Sequence, residues 1–249
     1  MLILSLFPGI GLLDMAFEEE GFCVVRGPDL LWGGDIHRFH PPAGRFDGVI
    51  GGPPCQAFSR LRHLVEHNGC ELAANLFPEF ERVVSEARPT WFLTENVPDA
   101  PCPVVPGYIV RDQIVSNRDD CGGEQSRHRR FSLGTDDGRA LVLDWPAPPV
   151  PMAYVQAALA GGSARPVPVA IGGSGKVKAS RKGAAALGDK TRDVYAAQVR
   201  AQGLPGGFEL PAFTVAAKVK AIGNGVPLPM GRMIARAVRR AVATSPRGA

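Results

Sequence analysis

The chain has 249 residues and a formal net charge of +4, and 45% of its residues are hydrophobic and 21% charged. This length suits one sizeable α/β domain, and the composition excludes a disordered chain, which would be poorer in apolar residues. No apolar run approaches the roughly 20 residues that a membrane span needs, so we predict no membrane association.

The first half of the sequence alternates short apolar runs with helical patterns, which is typical of a mostly parallel sheet flanked by helices. Four apolar runs predict strands, at 2–7, 22–26, 46–50 and 91–94. Apolar residues at helical spacing predict helices at 12–20, 76–87 and 229–240. Proline, glycine and alanine dominate 145–211, where the periodicity is poor and 172–188 is predicted to be a mobile loop.

Basic residues collect in the second half. Between 173 and 200 the chain carries seven of them against two acidic ones: Lys176, Lys178, Arg181, Lys182, Lys190, Arg192 and Arg200, with Asp189 and Asp193. Such a segment is either a solvated surface loop or one that contacts phosphates. The five cysteines have no paired spacing, which argues against a disulfide framework and predicts a reducing, cytoplasmic location. The start of the chain lacks a basic leader, so we expect no signal peptide.

A glycine turn follows the first predicted strand. Phe7, Gly9 and Gly11 precede a helix, and glycines there let the backbone approach a ligand while the helix N-terminus favours an anionic group. Asp14 stands where a dinucleotide-binding turn needs its third glycine, which disfavours a nicotinamide or flavin cofactor. Asp29 is a candidate to bind ribose hydroxyls, and Asp35 is a candidate to contact the edge of an adenine. Each aspartate also fits a simple turn residue.

A cysteine follows the third predicted strand. Pro53 and Pro54 fix the backbone directly before Cys55, on a loop at the strand end where ligands bind in open α/β sheets. A structural cysteine is normally inert within an apolar pattern, whereas this one lies on a stiff turn. Its position alone leaves a catalytic and a structural role equally open.

Two further segments carry charge at strand ends. Glu95 ends an apolar strand, where it is either a surface acid or a proton donor in a cleft. Arg127 and Arg129 are two residues apart, so on a strand they would point to one side and form a clamp for an anion or a carbonyl. A solvated face is the simpler alternative for this basic run.

Taken in order, these segments resemble the cytosine-C5 DNA methyltransferases. The resemblance covers 1–133 and resumes over 191–238, and five motifs carry it: Phe7-x-Gly9-x-Gly11, Pro53-Pro54-Cys55-Gln56, Glu95-Asn96-Val97, Gln125-x-Arg127-x-Arg129 and Gly223-Asn224-Gly225-Val226-Pro227. The resemblance implies a Rossmann-like methyltransferase fold with a small, reduced target-recognition region. The implied division is a catalytic and cofactor-binding domain at 1–140, the recognition region at 141–212, and a return to the catalytic domain at 213–249.

The resemblance also implies the chemistry. Cys55 would attack carbon 6 of a cytosine rotated out of double-stranded DNA, Glu95 would engage the base at N3 and its amine, and Arg127 and Arg129 would contact its O2. The donor would be S-adenosyl-L-methionine. The residues implied to bind it are Phe7, Gly9, Gly11, Asp29, Asp35, Ile36, Pro53, Asn224 and Val226, with Trp32 as a candidate for stacking on the adenine.

The sequence departs from the family between 145 and 190, where fewer residues remain than members use to read base edges. A short recognition site, or recognition by the 173–190 loop, is therefore expected. A C5 methyltransferase acting on RNA and a catalytically decayed DNA-binding homologue are the alternatives. We expect a monomer. We expect no metal site either, since no CxxC pair accompanies Cys55, His63 and His67 as further ligands. A cognate restriction endonuclease, a phage and an orphan regulator are all compatible settings.

Overall fold

The computed structural model describes residues 1–54, 74–144 and 190–243. Within these ranges the chain forms a six-stranded sheet of order β2-β1-β3-β4-β6-β5. The strands are β1 (Leu2–Leu6), β2 (Cys23–Arg26), β3 (Gly48–Gly51), β4 (Trp91–Asn96), β5 (Ile109–Ser116) and β6 (His128–Thr135). Strands β1 to β4 are parallel, and β6 runs antiparallel to both β4 and β5. The fold is a Rossmann-like methyltransferase fold, as predicted.

Helices flank this sheet. Those in the described ranges are α1 (Leu12–Glu19), α2 (Phe77–Ala87), α3 (Lys190–Ala201), α4 (Val215–Asn224) and α5 (Leu228–Ala243). Two short 3₁₀ helices, Leu30–Trp32 and Ile36–Arg38, follow β2. No helix in the described ranges is long and apolar enough to cross a bilayer.

Alternation along the central strands divides the core into two layers. Ile3 and Ile50 face the layer that holds Phe17 and the buried side of α5. Leu4, Leu6 and Val49 face the opposite layer, where α2 packs. Since successive side chains of a strand point to opposite faces, strands that are apolar at every position bury both faces, which is why helices cover the sheet on each side.

The chain reverses direction across the sheet next to β1. It goes from β1 to β2 on one side and then to β3 on the other, so β1 lies at a topological switch point. The loops that leave β1, β2, β3 and β4 all start from the same edge because these strands are parallel. This edge therefore gathers the glycine turn, Asp29, Pro53 and the residues around Glu95.

Four of these strands and helices were missing from the prediction made by apolar periodicity. Strand β6 was considered only as a possible setting for Arg127 and Arg129, and its first three residues are polar. Strand β5 lies at the edge of the sheet and exposes four of its eight side chains, so it lacks the apolar run used to find strands. Helix α3 buries Tyr195 and Val199, four residues apart, which is too narrow a stripe to stand out among alanines. Helix α4 has Thr214 as its N-cap, whose hydroxyl accepts a hydrogen bond from the Ala217 amide, but it buries only Ile222 and Gly223 at its end and so shows no apolar stripe.

Candidate active site

The turn after β1 exposes backbone to the cleft. Phe7, Gly9 and Gly11 have φ angles of 55°, 57° and 80°, in the left-handed region, and the Gly11 amide donates to the Pro8 carbonyl at 2.8 Å. At Gly11 a Cβ would lie 2.7 Å from Nη2 at the far end of the half-exposed Arg26 side chain, which can shift, so it is the φ angle that favours glycine. At Gly9 no atom of the described residues lies within 4 Å of a Cβ position, which leaves space beside the backbone in this part of the chain.

The buried carboxylate of Asp14 on α1 supports this turn from the protein interior. Asp14 is fully buried, and it accepts hydrogen bonds from the Ser5 hydroxyl at 2.6 Å and from Arg26 Nε at 3.0 Å. Burial raises the pKa of Asp14, while the bonds from Ser5 and Arg26 oppose that rise. Asp14 therefore ties α1 to β1 and β2 and fixes the guanidinium against Gly11. This network was missed in the sequence, because its members lie on three elements.

Asp29 and Trp32 hold the glycine turn from the side of β2. The Asp29 carboxylate accepts from the Gly9 amide at 2.8 Å and from the Leu31 amide at 2.7 Å. The Trp32 indole N–H donates to the Gly9 carbonyl at 2.7 Å, and 58% of this tryptophan remains exposed. The geometry thus brings Asp29 together with the glycine turn, at the switch point of the sheet.

Asp35 and Ile36 lie further along the same segment. Asp35 is exposed and caps the second 3₁₀ helix by accepting from the His37 amide at 3.0 Å. Ile36 is buried with Leu4 and Leu6, and its carbonyl accepts from Arg82 on α2 at 2.8 Å. Because the neighbouring Ile36 is fixed in the core and bonded to Arg82, the Asp35 side chain is held at the surface.

The end of β3 lies directly against the end of β4. Asn96 is buried and its Nδ2 donates to the Pro53 carbonyl at 2.9 Å. A Cβ on Gly52 would lie 3.0 Å from Glu95 Oε2, so the glutamate carboxylate covers the backbone of Gly52. Cys55 comes two residues after Pro53 and lies outside the described residues. The structure thus places Glu95 beside the segment that directly precedes Cys55.

Glu95 forms an ion pair with Arg129. The register pairs Glu95 with Phe131, so Arg129, two residues before Phe131, is its diagonal neighbour on the same face. Arg129 Nε lies 2.6 Å from Glu95 Oε1, and the two side chains are 17% and 12% exposed. The cation therefore lies directly against the carboxylate at the end of β4.

Arg127 takes a different partner from Arg129. It precedes β6, is 2% exposed, and its Nη1 donates to the Gly223 carbonyl at 2.8 Å. Asn224 beside it is exposed, whereas Val226 is buried. A Cβ on Gly225 would lie 2.5 Å from Leu12 Cδ1, so this loop rests on the first residue of α1, next to the glycine turn. Arg127 therefore links the approach to β6 to the loop that carries Asn224.

Comparison with known proteins identifies relatives of this sequence. Residues 33–100 match the family of C-5 cytosine-specific DNA methylases, a range that contains Pro53 and Glu95. The type II methyltransferase M.FnuDI of Fusobacterium nucleatum is 34% identical over 163 residues, covering 54% of this chain and 46% of the relative. M.NgoPII of Neisseria gonorrhoeae is 33% identical over 118 residues, covering 39% of this chain and 33% of the relative. Over this part of its length the chain is similar to the C-5 cytosine-specific DNA methylases.

Solved structures support the fold of this chain. The Entamoeba histolytica methyltransferase EhMeth superposes with a TM-score of 0.62 at 13% identity, over 96% of this chain and 98% of that one. The Dnmt2 methyltransferase of S. pombe gives a TM-score of 0.58 at 12% identity, over 96% and 98%. By contrast, the chain spans only about a third to a half of the lengths of the two sequence relatives named above.

Proposed function

We propose that this chain is a C-5 cytosine-specific DNA methylase, an active DNA (cytosine-5-)-methyltransferase that uses S-adenosyl-L-methionine and a covalent Cys55 intermediate. One observation carries the proposal: the Glu95 carboxylate lies over Gly52, in the segment that leads to Cys55, and its Oε1 atom is 2.6 Å from Arg129 Nε. A carboxyl group and a cation are thus held together beside the proposed nucleophile, where both can contact a bound base.

A cytosine base has groups that match this carboxyl group. Its exocyclic amine would donate to Glu95, and a protonated Glu95 would donate to N3, so one carboxyl group would recognise the base and place a proton on the ring. Arg129, 2.6 Å from the same carboxylate, would fix its position and face the base O2. Arg127 is proposed as a second contact to O2 and as the support of the 223–226 loop, through its bond to Gly223.

The proposed reaction begins at Cys55. The Cys55 thiolate forms a bond to carbon 6, and the electron pair of the 5,6 double bond becomes available at carbon 5. Carbon 5 would then bond to the methyl group of the donor, whose bond to the sulfonium sulfur breaks, so that the donor leaves as S-adenosylhomocysteine. A base removes the proton from carbon 5, the electrons re-form the double bond, and the bond from carbon 6 to sulfur breaks to return the thiolate. Because carbon 6 is stacked within a duplex, the cytosine must first rotate out of the helix.

The residues of the switch point fit the donor. The open space beside Gly9 and the positive φ angles of the turn give room for close backbone contact, and the N-terminus of α1 favours its carboxylate. Each Asp29 oxygen accepts one backbone N–H, and each has a second lone pair for a ribose hydroxyl. Phe7, Pro53, Asp35, Ile36, Asn224 and Val226 are proposed as the remaining contacts. S-adenosylmethionine would supply the electrophilic methyl group.

The rest of the proposed setting rests on the sequence. We propose that 1–140 and 213–249 form the catalytic unit, that 141–212 reads the DNA, and that the protein acts as a cytoplasmic monomer. Double-stranded DNA is the proposed substrate, and a cognate restriction endonuclease is a compatible partner. The segment 145–189, where the basic loop lies, is outside the described residues.

The test is covalent capture. Wild-type protein is incubated with S-adenosylmethionine and duplex DNA containing 5-fluorocytosine, which cannot lose the substituent at carbon 5, and adducts are separated on denaturing gels. An adduct is expected with wild type and with the control Cys23→Ser, which changes an exposed cysteine on β2, but not with Cys55→Ser. Bisulfite sequencing of methylated plasmid gives the site. Capture of RNA instead of DNA, or binding without any adduct, would overturn the proposal.

A further inference from the structure

A chain of buried amides joins the approach to β6, the end of α3 and the loop after α4. Gln125 and Gln202 are both fully buried. Gln125 Nε2 donates to the Ala201 carbonyl at 2.8 Å and to Gln202 Oε1 at 3.1 Å. Gln202 Nε2 in turn donates to the Ile222 carbonyl at 2.6 Å, and the Gly225 carbonyl lies 3.4 Å from the same atom.

The backbone of Gln202 adds a further bond to the same loop. Its carbonyl accepts from the Leu228 amide at 2.8 Å, at the start of α5. Gln202 therefore holds the loop at both ends, while Arg127 holds Gly223 in the middle. The end of α4 leaves carbonyl groups without helical partners, and a buried amide that satisfies one of them fixes where the helix stops. The exposed Asn224 side chain is presented from a loop that is pinned on both sides.

We propose that Gln202 is a positioning residue for the donor site. It acts through the 222–226 loop, whose Asn224 and Val226 are proposed donor contacts, and through Gln125, which leads to the arginines of the base site. The inference rests on the proposed function. It assigns to Gln202 the task of keeping the donor loop and the base-binding strand in one fixed relation.

The geometry requires a carboxamide side chain at position 202. The side chain must accept from Gln125 with one atom and donate to Ile222 with the other, and of the uncharged side chains only a carboxamide does both at this length. Gln202→Leu removes both bonds. Gln202→Glu keeps the acceptor but loses the N–H donor, and a protonated carboxyl group would restore a donor as the pH falls.

A matched control lies on the same helix. Gln198 is one turn earlier on α3, and its Oε1 atom is buried without a hydrogen-bond partner among the described residues. Gln198→Leu therefore removes a carboxamide of the same size without removing a bond to the donor loop. Any general effect of an apolar substitution on α3 appears in this control as well.

The experiment measures binding of S-adenosylhomocysteine by calorimetry, KM for donor and DNA, and hydrogen exchange of the 222–228 amides. Loss of the buried bonds is expected to weaken donor binding about ten- to fiftyfold in Gln202→Leu. The KM for the donor should rise with it, the KM for DNA should change less, and exchange at 222–228 should accelerate. Gln198→Leu should match wild type. Gln202→Glu should bind the donor better at pH 5 than at pH 8.

The outcomes separate this inference from the proposed function. If wild type binds no donor, the proposed function fails. If wild type binds donor and Gln202→Leu binds it equally well with unchanged exchange at 222–228, the positioning role is overturned. If Gln202→Leu does not fold, Gln202→Glu tests the positioning role instead, because this isosteric variant keeps the bond to Gln125. Donor binding by Gln202→Glu that does not change with pH would contradict the role.

Discussion

The contact between Gly225 and Leu12 offers a sharp test of the packing that places the donor loop. The φ and ψ angles of Gly225 are −72° and 162°, which any residue adopts, so an alanine there meets no backbone strain. Its Cβ, however, would lie 2.5 Å from Leu12 Cδ1 and 2.9 Å from Cγ. Leu12 is buried in a cluster with Ile222 and Leu228 and has little room to move. The substitution therefore overpacks the site.

The magnitude follows from this geometry. Overpacking of a well-packed core costs about 1–3 kcal/mol, so Gly225→Ala should lower the free energy of unfolding by that amount. In a domain of this size each kcal/mol corresponds to about 2–4 °C in Tm. Leu12→Ala alone should cost about 2–5 kcal/mol through the cavity it leaves. In the double variant the two closest of these atoms are gone, the Cβ at position 12 remains 3.3 Å away, and the new methyl group would fill part of that cavity.

The assay is a double-mutant cycle by thermal and urea unfolding. The double variant should be more stable than the sum of the single changes by about 1–3 kcal/mol. Gly206→Ala is the control, since no atom of the described residues lies within 4 Å of a Cβ there, and it should change stability by less than about 0.5 kcal/mol. Additive effects, or a Gly225→Ala variant as stable as the Gly206→Ala control, would refute the reasoning.

Three further predictions concern the buried polar groups. Arg129→Gln should lower the free energy of unfolding by about 1–3 kcal/mol and abolish methylation, because it leaves the Glu95 carboxylate without its cation; urea unfolding and methyl transfer to DNA measure the two effects. Asp14→Asn should remove a pH dependence: the raised pKa means that the contribution of Asp14 to stability is largest below pH 3.8, declines as the pH rises through the folded pKa and is constant above it. The difference in free energy of unfolding between wild type and Asp14→Asn, measured with urea from about pH 3 to 8, should show this slope. Asn96→Ala should cost about 1–3 kcal/mol, since the Pro53 carbonyl loses its buried donor, and should reduce covalent capture of 5-fluorocytosine.

Each of these has its own contrary result. The Glu95→Gln/Arg129→Gln pair, which removes both charges, should regain stability but no methylation; recovery of methylation would show that the ion pair is only structural. A flat difference between wild type and Asp14→Asn across the pH range would contradict the burial argument. Unchanged capture by Asn96→Ala would mean that the Pro53 carbonyl does not set the approach to Cys55.

The apolar periodicity of the sequence was sufficient to predict the strands β1 to β4 and the helices α1, α2 and α5. Each of these elements buries a face of its own, so its pattern is local. The same local reading missed β5 and α3, because an edge strand with exposed side chains and a helix with a narrow buried stripe leave little apolar signal. The motifs around Gly9, Pro53 and Glu95 were also legible in the sequence, since each occupies a few consecutive residues.

Only the tertiary structure decided which of these residues meet. The sequence predicted that Arg127 and Arg129 would act together, whereas the register of β6 against β4 brings Arg129 to Glu95 and leaves Arg127 bonded to Gly223. The bond between Gln125 and Gln202 joins positions 77 apart in the chain. Hydrogen bonds of buried groups are settled by what packs around them, and no local pattern encodes a partner that another element supplies. The sequence thus determined the elements and the residue types of the site, and packing determined their partners.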